Sequence, residues 1–259
     1  MNEHAQKATL ADDTYVPPQS SPLGILGVWA AAAVPMGLLG WVVAPRIADG
    51  LSGPEPLARA LIACLTIGLI WQFVLVAILV RREQGSLAWP KLRDALWLRA
   101  PRSPKTGQRG GRVWWWIVPF ALIFVAEQML PSPPMVATHD LGSVLDSQTG
   151  KDFFAGNWEW FSIALVMFVF NTVLGEELLF RGWLLPRMNA VCGRWDWLAN
   201  GVLFGLYHLH MPWAIPGAMI DAFALALPSK WLRSAWMGIV VHSLQSLVLV
   251  ALLLALVLK

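Results

Sequence analysis

Asn171-Thr172-Val173-Leu174-Gly175-Glu176-Glu177-Leu178-Leu179-Phe180-Arg181-Gly182-Trp183 sets two carboxylates and an arginine into an otherwise apolar helical run. The run is long enough to cross a bilayer. On insertion scales an ionisable side chain at mid-membrane costs roughly 2.5–3.5 kcal/mol, so two acids and a base in one such helix mark a functional site. Glu177 and Arg181 are four residues apart with the acid first, the favourable order for a helical ion pair. Glu176 is rotated about 100° from Glu177 and meets a different neighbour. Glu176 is therefore read as the chemical residue, with Glu177 and Arg181 as its support. A placement of both acids at the membrane–water boundary is opposed by Leu178, Leu179, Phe180, Trp183, Leu184 and Leu185, which keep the segment apolar well past them.

The composition agrees with a membrane origin. Of the 259 residues 57% are hydrophobic and 14% charged, far from the balance of a soluble domain. The net charge of +3 does not point to nucleic acid, because the basic residues concentrate in one connection between apolar segments, where topology accounts for them. Two cysteines, Cys64 and Cys192, support neither a disulfide framework nor a zinc motif. The polar start lacks the basic region of a secretory signal, so the first apolar segment reads as a retained span.

The expected fold class is all-α: a polytopic transmembrane bundle of about seven spans with its active site in the late ones. Residues 1–22 read as a disordered polar tail. Residues 23–44 and 57–80 each supply about the 20 apolar residues that a bilayer requires. Residues 81–112 carry nine Lys and Arg against Glu83 and Asp94, which makes this loop, and with it the N-terminus, cytoplasmic by the positive-inside rule. Its 87–98 portion is expected on the membrane surface. A third span at 113–130 completes an N-terminal membrane region, 23–130, and a Pro/Ser-rich outer loop follows. The fourth span begins near Trp158 and ends at Arg187; the fifth is short, 197–211; the sixth, 212–227, is broken by Pro212, Pro216 and Gly217. The seventh is 234–258, which leaves Lys259 outside.

His208, His210 and His242 are the other polar groups of interest in the late segments. Counted from the basic ends at about 1.5 Å per residue, Glu176, His208 and His242 all lie roughly 12–16 Å deep and can meet at one level. On a continuous helix His208 and His210 point about 200° apart, and His208 is chosen because Phe204, one turn earlier, supports its ring. A carboxylate with two imidazoles suits a general base activating water beside oxyanion donors, or a zinc site at Glu176, His208 and His242 with one open position. A proton-coupled transporter uses such groups as well.

Glu176-Glu177-x-x-x-Arg181, Phe204-x-x-x-His208 and His242-x-x-x-Ser246, in this order, resemble the motifs of the CPBP (CAAX-protease and bacteriocin-processing, or Abi) family of glutamic intramembrane endopeptidases, over roughly 157–258. The resemblance implies a multi-pass protein of a bacterial plasma membrane that hydrolyses membrane-associated proteins or peptides, lipidated or with a transmembrane segment. It implies Glu176 as the base, His208 and His242 orienting water or stabilising the oxyanion, and no cofactor. The family usually has Asn or Asp where this chain has Ser246, which is expected to hydrogen-bond His242 or the oxyanion. The same departure fits a weakly catalytic member acting as an immunity or scaffold protein.

Overall fold

The computed structural model describes residues 15–130 and 133–259, and helices account for its regular structure, the one β-bridge being the isolated pair Arg102–Arg109. Helix α1 (Pro22–Ala48) starts on proline, with the Ser21 side chain accepting from the Gly24 amide at 3.1 Å. Helix α2 (Pro56–Gln84) also starts on proline and stops at Gly85, whose φ of 69° is the left-handed conformation that ends helices. A surface helix α3 (Trp89–Ala95) follows, then α4 (Ile117–Glu127) after a 3-10 turn at Gly111–Trp116. Two short helices, α5 (Leu141–Asp146) and α6 (Gln148–Phe154), lie in the connection expected as a Pro/Ser-rich outer loop. Helix α7 (Trp158–Arg187) carries the two glutamates; α8 (Asp196–Tyr207), α9 (Ile215–Ile220), α10 (Leu227–Trp231) and α11 (Ala235–Val257) complete the fold.

Four of these, α1, α2, α7 and α11, are long and apolar enough to cross a membrane. Large apolar side chains stand exposed along them and along α4, with Ile67, Leu122 and Val248 each at least 60% exposed, as surfaces that meet lipid do. The other three expected spans are helical but shorter. Helix α8 has 12 residues, about 18 Å, against a hydrocarbon core of about 30 Å. It ends at Tyr207 rather than Met211, because His208 leaves helical geometry with ψ at 40° just ahead of Pro212.

The first 14 residues of the expected tail lie outside the described residues. Residues 15–21 are docked. Tyr15 donates to Glu83 at 2.5 Å, the Ser20 amide donates to the Arg187 carbonyl at 3.0 Å, and Gln19 reaches the Pro186 carbonyl at 3.0 Å. Burial, and then the adjacent Glu83, hold the Tyr15 phenol well above its ordinary range.

Several helix ends gather at this side. Arg187, 1% exposed, makes a two-pronged pair with Glu83, each contact 2.8 Å, and donates to the Ala95 carbonyl at 3.1 Å. Lys230 pairs with Asp196. The Ala235 amide bonds the Trp97 carbonyl at 2.9 Å, and the Arg102 amide bonds the Leu232 carbonyl at 2.7 Å. The ends of α2, α7 and α10 and the starts of α8 and α11 are thereby tied together.

Candidate active site

Helix α7 widens around its glutamates. π-helical turns at Phe170–Gly175 and Leu178–Leu184 flank Glu176 and Glu177, and such insertions recur where helices carry function. Close packing needs Gly175: a Cβ there would lie 2.6 Å from the Phe170 carbonyl oxygen and 3.1 Å from that of Leu69 on α2. The widened turn is stabilised from α8, where buried Asn200 donates to the Phe180 carbonyl at 2.9 Å.

Glu177 and Arg181 are both wholly buried and pair at 3.0 Å. The guanidinium also lies over the Phe204 ring, 4.0 Å from its centroid, a desolvated cation–π contact. Glu177 has a second partner. The same Oε1 is 3.0 Å from His242 Nδ1 on α11, so the carboxylate fixes the imidazole's orientation and leaves Nε2 for the cavity. Room for this carboxylate comes from Gly238, where a Cβ would sit 2.3 Å from Glu177 Oε2. Gly238→Ala is accordingly expected to destabilise by about 1–3 kcal/mol, the usual cost of overpacking, and to lower activity by moving Glu177 off His242. Thermal unfolding in detergent measures this, and an unchanged midpoint would refute it.

His208 is anchored in the same manner: its Nδ1 donates to the Phe204 carbonyl at 2.9 Å, which leaves Nε2 available. Phe204 stands between the two imidazoles, edge-on to each, at 4.9 Å from His208 and 6.1 Å from His242. Glu176, 2% exposed, shares a hydrogen bond with the Tyr207 hydroxyl, and Tyr207 in turn accepts from Gln72 of α2 at 2.6 Å. Glu176, His208 and His242 line one cavity of about 700 Å³, whose wall includes residues of α5, α7, α9 and α11.

The expected separation of His208 and His210 does not hold. Because α8 stops at Tyr207, the wheel angle does not apply, and the two rings stack 5.6 Å apart with His210 also on the cavity. Ser246 differs as well. Among the described residues it makes no hydrogen bond to His242, whose Nδ1 is held by Glu177, and it is absent from the cavity wall, whereas Gln245 is on that wall and pairs with Gln128 at 3.1 Å. Ser246→Ala is therefore expected to leave activity within a few-fold. A loss of about 10²–10³, the scale of a missing oxyanion donor, would put Ser246 in the reaction.

Gln72, Tyr207 and the Glu177–His242 contact were missed by sequence reasoning. Gln72 was detectable as a lone amide inside an apolar span. No group of three His, Cys, Asp or Glu side chains among the described residues is arranged to hold a metal ion, the Glu176, His208 and His242 set included. Burial, and then Asp196, push the Cys192 thiol upward, opposite to an activated nucleophile.

Residues 158–248 match the family model described as Rce1-like, type II CAAX prenyl endopeptidase Rce1-like. No curated protein and no solved structure matches the chain. The matched residues run from the start of α7 into α11 and include Glu176, His208 and His242. Over this segment the chain is similar to the type II CAAX prenyl endopeptidases of the Rce1-like family, and its four long apolar helices mark an integral membrane protein.

Proposed function

We propose that the protein is an intramembrane endopeptidase in which Glu176 activates water against a peptide bond of a membrane-associated protein or peptide. The observation that carries this reading is the convergence of Glu176, His208 and His242 on one buried cavity, with both imidazoles anchored through Nδ1. Neutral His208 presents the Nε2 lone pair, which accepts one hydrogen of the attacking water and turns the other toward Glu176. The carboxylate takes that proton as the water oxygen bonds to the carbonyl carbon. His242, with Nδ1–H on Glu177 and a second proton on Nε2, donates to the oxyanion so formed. When the tetrahedral species collapses, the C–N bond breaks and Glu176 returns its proton to the departing amine. Comparing newly cleaved protein termini in membranes that hold wild-type protein or Glu176→Gln tests the reading. Identical sets of termini would sink it.

The same reading places seven helical passages in a bacterial plasma membrane, with the N-terminus and the 81–112 loop cytoplasmic. Its supports are the nine basic residues of that loop and the joined ends of α2, α7 and α10 beside it. Residues 157–258 then form the catalytic core. A single cysteine placed at position 105, in a chain otherwise free of cysteine, is expected to react with an impermeant thiol reagent only after the cells are opened. Labelling on intact cells overturns the topology.

A further inference from the structure

The cavity carries acids that the reaction does not use. Glu127, at the end of α4, and Asp221, just after α9, both line it, and their carboxyl groups are in hydrogen-bonding contact with each other. Two carboxyls so close share a proton more readily than they ionise together, and between them they present several acceptor oxygens to the cavity. Among the described residues no N–H or hydroxyl donor reaches Glu127 Oε2 or Asp221 Oδ1, and no lysine or arginine lines the cavity. The pair lies beside the reacting centre: Asp221 is near enough to His242, Arg181 and Glu177 to interact with their charges, and Phe124, one turn before Glu127, packs edge-on to His242 at 6.0 Å.

A second observation points independently to a ligand. His210 and Trp213 are each 8% exposed, both line the same cavity, and His210 Nδ1 and Trp213 Nε1 have no hydrogen-bond partner among the described residues. An indole N–H only donates, and leaving it unpaired costs roughly 1–3 kcal/mol, so an acceptor such as a peptide carbonyl is the group that the site lacks.

We propose that Glu127 and Asp221 form a cation-binding subsite that takes the ammonium or guanidinium of a lysine or arginine side chain, on a peptide whose backbone is met by Trp213 and His210. The assignment rests on the peptidase reading for its biological meaning and names the substrate class of that same site: apolar peptide segments carrying a basic residue close to the scissile bond. The bound cation donates to the carboxyl oxygens that no N–H or hydroxyl of the described residues reaches, in a setting where a carboxylate attracts it more strongly than in water.

The test uses purified full-length Glu176→Gln protein in detergent, so that binding is read without turnover. Two blocked apolar pentapeptides serve as probes, one with a central lysine and the other with glutamine in its place. The lysine peptide is expected to bind on the order of tenfold more tightly, the scale of one charge-assisted hydrogen bond. Adding Glu127→Gln and Asp221→Asn is expected to erase the difference, whereas adding Trp213→Phe weakens both peptides alike. Equal affinities in the Glu176→Gln protein overturn the subsite, and this comparison needs no change to the acid pair. A lysine preference that survives loss of both acids overturns it too. Lysine-selective binding without Glu176-dependent cleavage in membranes sinks the peptidase reading and leaves the subsite standing; Glu176-dependent cleavage without lysine selectivity does the reverse.

Discussion

Replacing Glu176 with glutamine is expected to abolish cleavage while leaving thermal unfolding in detergent nearly where it was. The residue is buried, but among the described residues it forms no ion pair; it meets the Tyr207 hydroxyl and the charges of His242, Glu177 and Arg181. Glutamine has the same shape, and its amide oxygen still accepts from Tyr207. What it cannot do is take a proton from water. Removing a positioned general base costs about 10²–10⁴ in rate, and here the nucleophile itself depends on that base, so the loss belongs at the upper end or beyond. Tyr207→Phe separates support from chemistry. It removes one hydrogen bond to the carboxylate and orphans Gln72, 0% exposed, so it should cost stability and a lesser share of rate. Near-normal cleavage by Glu176→Gln would remove the base assignment.

How much of this site the sequence disclosed follows from the range of each interaction. Glu177–Arg181 is a contact within one helix, so a spacing of four residues was sufficient, and the widened turn after Glu177 leaves the pair intact. The bond from His242 to Glu177 joins residues 65 apart on different helices, and no periodicity encodes it. His210 was set aside by assuming that α8 continues through it. The break at His208 depends on how the chain packs ahead of Pro212 and Pro216, a matter of tertiary context rather than propensity. The long spans α1, α2, α7 and α11 were legible because about 20 apolar residues is a physical requirement of the bilayer. The short helices α4, α8 and α9 fall below that requirement, and their place comes from packing on the long ones. Glu127 and Asp221 lie at or just beyond the ends of such short helices, where an acid attracts no notice until its partner is seen.

Glu177→Gln should behave unlike Glu176→Gln, because this carboxylate serves two partners at once. Its Oε1 is 3.0 Å from both Arg181 Nη1 and His242 Nδ1, and all three side chains are at least 94% buried. Without it Arg181 loses its paired carboxylate inside the protein and keeps its contacts with the Phe204 and Phe180 rings, a change that costs about 3–5 kcal/mol. His242 loses the charge of its orienting carboxylate in the same step and keeps only a neutral amide acceptor, so stability and activity should fall together. Adding Arg181→Met then separates the two effects. Removing the cation as well leaves no orphaned charge, and an apolar side chain of similar length fills the space, so much of the lost stability should return. Activity should not return, because neither change restores the negative charge opposite His242: the glutamine oxygen can still accept from Nδ1 but is neutral. Unfolding midpoints and cleavage rates for wild type, Glu177→Gln, Arg181→Met and the double variant measure both couplings in one cycle. Recovery of cleavage in the double variant would reduce Glu177 to a counter-ion for Arg181, and failure to recover stability would mean that the ion pair is not what makes its loss costly.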